Sequence, residues 1–412
     1  MTIYRVCSHT NNVGAGSTYV AVTGTKVNGL DFIEQALQKG ATRVVVPRSE
    51  VTDTIHALCK RHNAELLLVD DARVALAELS AQAYDYPAKK LAILAITGTD
   101  GKTTSSYLLY NILRHAGKKV ALLTGVQHIV GDDVTEADLT TEKPDYLQHF
   151  FHMCVQQGIR YVVMEVAAQA ATFKRIVGLQ FDGAIFTNLA CEHGESYSNL
   201  DDYFDAKRAI LQQVKVGAPL VINIDNEWGL KARQHCTRAM TSGFDVEADY
   251  QVTLLQSGAT RQLLELKLGE QWIQLTTPLI GEYNAQNIAG AAGLANQLGA
   301  SEKAIIEGVA TFAGASGRLE RYQLANGALA IVDYAHTAQA YQAVLPVLKK
   351  HARKLFVVFG AAGGKDKAKR PMMGKLAVAH ADMTVLTIDS NFKWCQTIRN
   401  AQNTLCTTHY CI

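Results

Sequence analysis

The sequence predicts an α/β protein of three domains built round a central doubly wound sheet, and three observations predict it. The chain has 412 residues, well past the length at which one hydrophobic core stops growing. The run Leu91 to Thr97 (LAILAIT) is apolar on both faces, as a parallel strand covered by helices must be. Further strand-like runs then alternate with helical patterns, the order that parallel crossovers require. Hydrophobic residues at 48% and charged residues at 19% supply cores and exclude a mostly disordered chain. Forty Lys and Arg against 38 Asp and Glu leave a net charge of +2. No basic run is interleaved with aromatics, so no nucleic-acid groove or anionic-membrane patch is expected. The start MTIYRVCSHT has no charged segment leading into an apolar one, and no apolar stretch reaches the roughly 20 residues that cross a bilayer. A cytoplasmic protein without membrane insertion is therefore expected. The cysteines at 7, 59, 154, 191, 236, 395, 406 and 411 form no CxxC pair, so reduced thiols are expected rather than a disulfide scaffold or a zinc site.

In chain order, Thr18 to Ala21 reads as a strand, followed by Asn28-Gly29 and the helical pattern Phe32, Ile33, Ala36, Leu37, which Gly40 closes. Arg43 to Val46 and Glu65 to Val69 read as strands, giving a small α/β domain over residues 1–87 that ends at Tyr86-Pro87. A central domain over 88–316 opens with Leu91 to Thr97. It continues with strands at Lys119 to Leu123, Arg160 to Val166, Phe181 to Asn188 and Leu220 to Asp225, with helical patterns filling the gaps. Asn284 to Leu298 is an Ala-rich helix stopped by Gly299. After Gly314-Ala315-Ser316-Gly317 a third α/β series over 317–412 has strands at Ala328 to Val332, Lys354 to Phe359 and Met383 to Ile388. Residues 393–412 carry no strand or helix period and are set apart as an atypical tail.

One motif stands between the central strand and an amphipathic helix: Gly98-Thr99-Asp100-Gly101-Lys102-Thr103-Thr104. Glycines let backbone N–H groups turn toward an anion, and the helix N-terminus adds partial positive charge. Lys102 can reach β- and γ-phosphates, and the Thr103 hydroxyl can hold Mg²⁺. The spacing is a short GxxGKT form, with Ile96 where the longer signature has glycine. ATP or GTP binding follows.

This GTDGKTT loop resembles that of the Mur ligases, the ATP-dependent amide ligases of peptidoglycan precursor synthesis. Further landmarks occur in family order. Glu165-Val166 ends a strand; Thr187-Asn188-Leu189 with Glu192-His193 is similar to the TNL…DH segment; Ala206-Lys207 is similar to the AK dipeptide. Gly281, Asn284 and Asn287 fit a GxxNxxN helix on the adenine side, and Gly317-Arg318-Leu319-Glu320 fits the element opening the C-terminal domain. Asp333-Tyr334-Ala335-His336-Thr337 and the stretch from Phe359-Gly360 to Lys369-Arg370-Pro371-Met372 resemble the branch that adds a diamino acid.

The resemblance implies a three-domain architecture: a UDP-sugar-binding α/β domain, a central P-loop doubly wound sheet and a Rossmann-like C-terminal domain. It implies joining of L-lysine or meso-diaminopimelate to UDP-N-acetylmuramoyl-L-alanyl-D-glutamate through an acyl phosphate, by a monomer. Thr103 and Glu165 would hold Mg²⁺ on the phosphates, and His193 with a carbamylated Lys207 a second ion. Lys102, His193 and Lys207 would be catalytic. Asn287, Arg318 and Asp333 would face the nucleotide, and Thr10, Asn28, Thr140, Thr141, Arg175, Lys365 and Asp389 the other substrates. The helix alone would make Lys207 a solvated or snorkelling lysine, with Tyr203, Phe204, Ile210, Leu211 and Val214 as the core face.

Departures from the pattern are specific. Ala167, Ala168 and Gln169 stand where the family carries serine and histidine, Thr10-Asn11 replaces a Ser-Arg pair, and Glu192 replaces Asp. Lys365 stands for an arginine, keeping charge but losing the bidentate fork. Asp389-Ser390-Asn391-Phe392 replaces a DNPR motif, and from there the resemblance stops. The C-terminal domain is accordingly expected to be incomplete, through a natural end or a frameshift. One alternative is a relative that binds nucleotide and UDP-sugar without completing catalysis. Another is a different ligase of the same fold, such as folylpolyglutamate synthase.

Overall fold

A computed structural model describes residues 2–24, 27–190, 196–360 and 369–387. The first strands form a parallel four-stranded sheet in chain order: Val6–Cys7, Thr18–Val20, Arg43–Pro47 and Glu65–Val69. Alternation sorts their side chains to two faces. Cys7, Tyr19, Val44 and Val46 join Ile33, Ile55 and Cys59 in one core, while Val6, Val20 and Val45 meet Ala72, Ala75 and Leu76 in another. Helices Asp53–Arg61 and Ala72–Ala83 start where side chains cap them: Thr52 accepts from the Ile55 N–H, and Asp71 from those of Arg73 and Val74. Tyr86 adopts a left-handed backbone (φ 48°) ahead of a short 3₁₀ turn, Pro87–Lys90.

The largest sheet has eleven strands. In spatial order they are Gln271–Thr277, Gln262–Leu268, Tyr250–Ser257, Met240–Gly243, Leu220–Asn223, Gly183–Phe186, Ala92–Thr97, Tyr161–Glu165, Val120–Leu123, Gln127–Val130 and Asp133–Glu136. Its middle is parallel and both ends are antiparallel. Ile93, Leu94, Ala95 and Ile96 are fully buried, as the unbroken apolar run requires.

Two compact units divide the chain, one of residues 1–97, 117–184 and 206–220, the other of 98–116, 185–205 and 221–412. Within the first, helix Pro144–Gln156 packs on helix Ala72–Ala83. Within the second, helix Lys102–His115 packs against Glu282–Gln297, whose run of small residues is buried almost all round. There too, Glu320–Gln323 pairs antiparallel with Leu329–Val332, and Phe356–Phe359 pairs parallel with Met383–Leu386.

The structure corrects the expectation that helices fill the gaps between strands. Between Asp225 and Asn284 the chain builds a three-stranded antiparallel meander, Tyr250–Ser257, Gln262–Leu268 and Gln271–Thr277. Leu264, Leu266, Ile273 and Leu275 turn inward while Gln271, Gln274 and Thr276 face water, a period of two that marks half-buried strands. The hairpin Gln127–Val130 with Asp133–Glu136 was likewise not expected.

Candidate active site

The phosphate loop lies at the head of the 14-residue helix Lys102–His115 in the second unit. Gly101, the residue before the helix, has φ 83°, and a side chain there would collide with the Asn287 amide. Gly98 has φ 151°, and a Cβ on it would strike the Thr187 hydroxyl and sit 3.0 Å from the Asn188 backbone. Both positions therefore need glycine. The Asp100 N–H donates to Asn188 Oδ1 at 2.9 Å, and the Thr187 hydroxyl and Asn188 amide both donate to the Asp100 carbonyl. Thr99 is held through its hydroxyl, which accepts from the Ala190 N–H at 3.0 Å and donates to Tyr203 Oη at 3.3 Å. The first turn carries no acidic residue and no side-chain cap. Its N–H groups are thus left to an anion. Lys102 Nζ donates to the carbonyls of Thr99 (2.6 Å) and Gly98 (3.1 Å), and Thr103 and Thr104 are buried.

Around the loop, Asn287 accepts from the Ser105 hydroxyl at 3.2 Å and donates to Asn284 Oδ1 at 3.3 Å, and Asn284 donates to the Ile280 carbonyl. Arg318 donates to Thr103 Oγ1 at 3.2 Å and lies 4.5 Å over the Tyr334 ring. Asp333 accepts from the N–H groups of Leu319 and Ala335, both at 2.8 Å, so it braces the turn bearing Arg318. Burial pushes its carboxyl up despite these bonds. An open cleft of about 590 Å³ is lined by Ile224, Asp225, Phe244 and Gln286 among others. Asp225 shapes it, accepting from Phe244 N, Asp245 N and the Gln286 amide. The sequence reading missed Asp225 and Gln286, although Gln286 lies one residue before Asn287 on the expected adenine-side helix.

In the first unit, Glu165 ends strand Tyr161–Glu165, is 2% exposed and accepts from the Gly125 N–H at 3.2 Å. Thr141 is the hub beside it. Its hydroxyl donates to the Glu165 carbonyl (3.0 Å) and accepts from Ala167 N (2.9 Å), while its carbonyl accepts from Arg175 Nη1 (2.6 Å). Thr140 is exposed next to Gly125. Arg175 lies 5.6 Å over the Phe173 ring, and burial pulls its guanidinium below its usual range. Thr10 is buried, with its hydroxyl on Gln35 Oε1 at 2.9 Å, and Asn28 caps a short turn through the Leu30 N–H.

Lys207, on helix Leu200–Leu211, is 1% exposed, which removes the solvated or snorkelling alternative. Tyr203, Phe204, Ile210 and Leu211 are buried with it, while Val214 lies past the helix end and is half-buried. His193, Lys365 and Asp389 fall outside the described residues. Among the described residues no three His, Cys, Asp or Glu side chains gather as a metal site. Thr103 and Glu165 are hard oxygen donors of the kind Mg²⁺ takes.

Three family models match in order: the Mur ligase family catalytic domain at residues 2–84, the Mur ligase middle domain at 96–295 and the Mur ligase glutamate ligase domain at 317–410. The UDP-N-acetylmuramoyl-L-alanyl-D-glutamate--2,6-diaminopimelate ligase of Cytophaga hutchinsonii is 34% identical over 393 residues, 94% of this chain and 78% of that protein. The chain belongs to the Mur ligase family. The ligase of the same name from Syntrophomonas wolfei is 32% identical over 392 residues, again 94% and 78% of the two chains. The glutamate ligase match runs past Asp389, where the residue-by-residue resemblance ends.

Solved structures agree on the Mur ligase fold. One of a ligase with that diaminopimelate-adding name superposes with a TM-score of 0.70 at 24% identity, covering 100% of this chain and 85% of the other. MurF of Acinetobacter baumannii gives 0.72 at 19%, covering 98% and 88%. Folylpolyglutamate synthase of Thermotoga maritima gives 0.62 at 15%, covering 82% and 85%. At these identities the likeness is one of fold.

Proposed function

We propose that this Mur ligase joins meso-diaminopimelate to the D-glutamyl carboxylate of UDP-N-acetylmuramoyl-L-alanyl-D-glutamate, with ATP split to ADP and phosphate. The observation that carries the reading is the glycine loop fixed by Asn188 and Asn287 at the head of a helix, in a chain whose relatives bear that name across 94% of its length. A carboxylate resists attack by an amine until one oxygen becomes a leaving group. Transfer of the γ-phosphoryl group to the D-glutamyl oxygen creates one, and the amine nitrogen then adds to the acyl carbon as phosphate departs and the ammonium proton is lost.

Each residue has a part in this scheme. The first-turn N–H groups and Lys102 take the phosphates, with Lys102 offsetting charge on the group in flight. Arg318 assists beside Thr103, and the cleft by Asp225 and Gln286 takes the base. Thr141 orders Arg175, whose guanidinium suits the carboxylates of the muramoyl peptide, with Thr140 exposed beside it. As oxygen donors for Mg²⁺ the chain offers Thr103 in the loop and, separately, Glu165 and Lys207, the latter once its amine has taken up carbon dioxide and released a proton; the ion when bound would neutralise phosphate charge.

The test is ADP release with mass spectrometry of the product, offering the UDP-dipeptide with meso-diaminopimelate or L-lysine. A UDP-tripeptide containing diaminopimelate is expected. Preference for lysine would change the amino acid, and turnover only with a folate acceptor would overturn the reading.

A further inference from the structure

We propose that Glu142 is a positioning residue, whose buried carboxylate holds the turn bearing Thr140 and Thr141 from inside and thereby sets Arg175 for the UDP-linked peptide. The inference deepens the reading above and rests on it. Glu142 is 6% exposed although its neighbours Thr140 and Lys143 face water. Its Oε1 accepts from the N–H groups of Asp138 (3.1 Å) and Leu139 (3.0 Å), closing the carboxylate back over its own turn. Thr140 and Thr141 lie between these anchors. Thr141 in turn binds the Glu165 carbonyl, the Ala167 N–H and Arg175, so movement of the turn moves Arg175.

Electrostatics point the same way. Burial raises the Glu142 carboxyl and lowers the Arg175 guanidinium, and each offsets the other's shift. The Asp138 carboxylate also pushes Glu142 up, and His128, 3% exposed, has Nε2 3.8 Å from Glu142 Oε1 and Nδ1 2.6 Å from Tyr146 Oη. Burial pushes that imidazole down to about 4, so at neutral pH the nearby cation is Arg175. Two N–H groups could be satisfied by a neutral side chain. A buried carboxylate is costly, and the two N–H bonds that it accepts offset that cost.

Calorimetry with UDP-MurNAc-L-Ala-D-Glu and, separately, ADP tests this on Glu142→Ala and Glu142→Gln. Removing the acceptor strands two N–H groups, so Glu142→Ala should weaken binding of the UDP-dipeptide about tenfold or more. Glu142→Gln keeps an oxygen for both donors and should stay within about threefold of the parent. ADP affinity should be unchanged in both, and amide exchange at Asp138 and Leu139 should accelerate only in Glu142→Ala. A Glu142→Ala protein that melts cooperatively and binds the UDP-dipeptide like the parent overturns the proposal, as does a Glu142→Gln no better than Ala. Should Glu142→Ala fail to fold, Glu142→Asp takes its place, since withdrawing the carboxylate by one methylene must weaken binding. Parent-like affinity in that variant would also overturn it. If the parent itself binds no UDP-dipeptide, the functional reading fails, and exchange at Asp138 and Leu139 still judges the hold on the turn.

Discussion

Lys102 carries the sharpest expectation at the scale of single residues. Its ammonium already spans the loop to the Gly98 and Thr99 carbonyls, where it can offset phosphate charge. Lys102→Ala should lose turnover by about a thousandfold or more while melting within a few degrees of the parent. Near-normal phosphate release by that variant would remove the ligase reading. His128 gives a pH prediction. Its folded value, about 4, lies below the ordinary 6.5, so the unfolded chain takes the proton first as pH falls. Stability from this group is intact above about 6.5, falls between 6.5 and 4, and is level below. The melting-temperature gap between the parent and His128→Gln should therefore narrow from pH 7 to pH 5; a gap that widens contradicts the assignment. What was legible here was local. Gly98 to Thr104 could be read because anion binding needs those residue types in adjacent positions. Glu142 could not, since a glutamate in Glu142-Lys143-Pro144-Asp145 reads as a solvated charge until the turn folds over it.

Elements make the next tier of tests. Gly101 stands where a left-handed backbone meets the Asn287 amide, so Gly101→Ala adds both strain, about 1–2 kcal/mol, and a steric clash. Weaker ADP binding with a lower melting temperature should result, whereas unchanged ADP binding would show that the loop tolerates another path. On helix Leu200–Leu211, Lys207→Ala should fall in activity by at least about a hundredfold and recover partly with formate or acetate, which can refill the carboxylate's place. ¹³C-bicarbonate NMR showing only free amine in active protein would refute the carbamate. Elements proved legible according to how much of their signal was local. Glu65–Val69 matches its expected bounds, and Ala92–Thr97 loses only Leu91 from the apolar run. The meander Tyr250–Thr277 escaped because its inward leucines are interleaved with Thr, Gln and Lys, and a central sheet of buried parallel strands draws attention to unbroken apolar runs instead.

Over the whole molecule, stability should be graded by how each strand is covered. Ile93 to Ile96 and Val162-Val163 are fully buried within an eleven-stranded sheet, so their amides can exchange only when the surrounding core opens. Among the described residues, the later sheets have two strands each. On these, Leu329 is 43% exposed, Val332 50%, Phe356 57% and Val358 64%. A two-stranded pairing with one face in water has little apolar burial to offset the entropy of ordering it. The packing there, among the described residues, is two small clusters: Tyr341 and Leu345 against Phe359, Met373 and Ala377, and Leu319 and Val344 with Ile280, where Ile331 is only partly covered. Local opening should therefore expose Arg321 and Ile331, which pair across the hairpin, long before the central sheet separates. Native-state hydrogen exchange should find these two amides at least about a hundredfold faster than those of Leu94 and Val163. Equal protection at all four would mean that the chain opens as one cooperative body, and that its uneven burial does not translate into uneven stability.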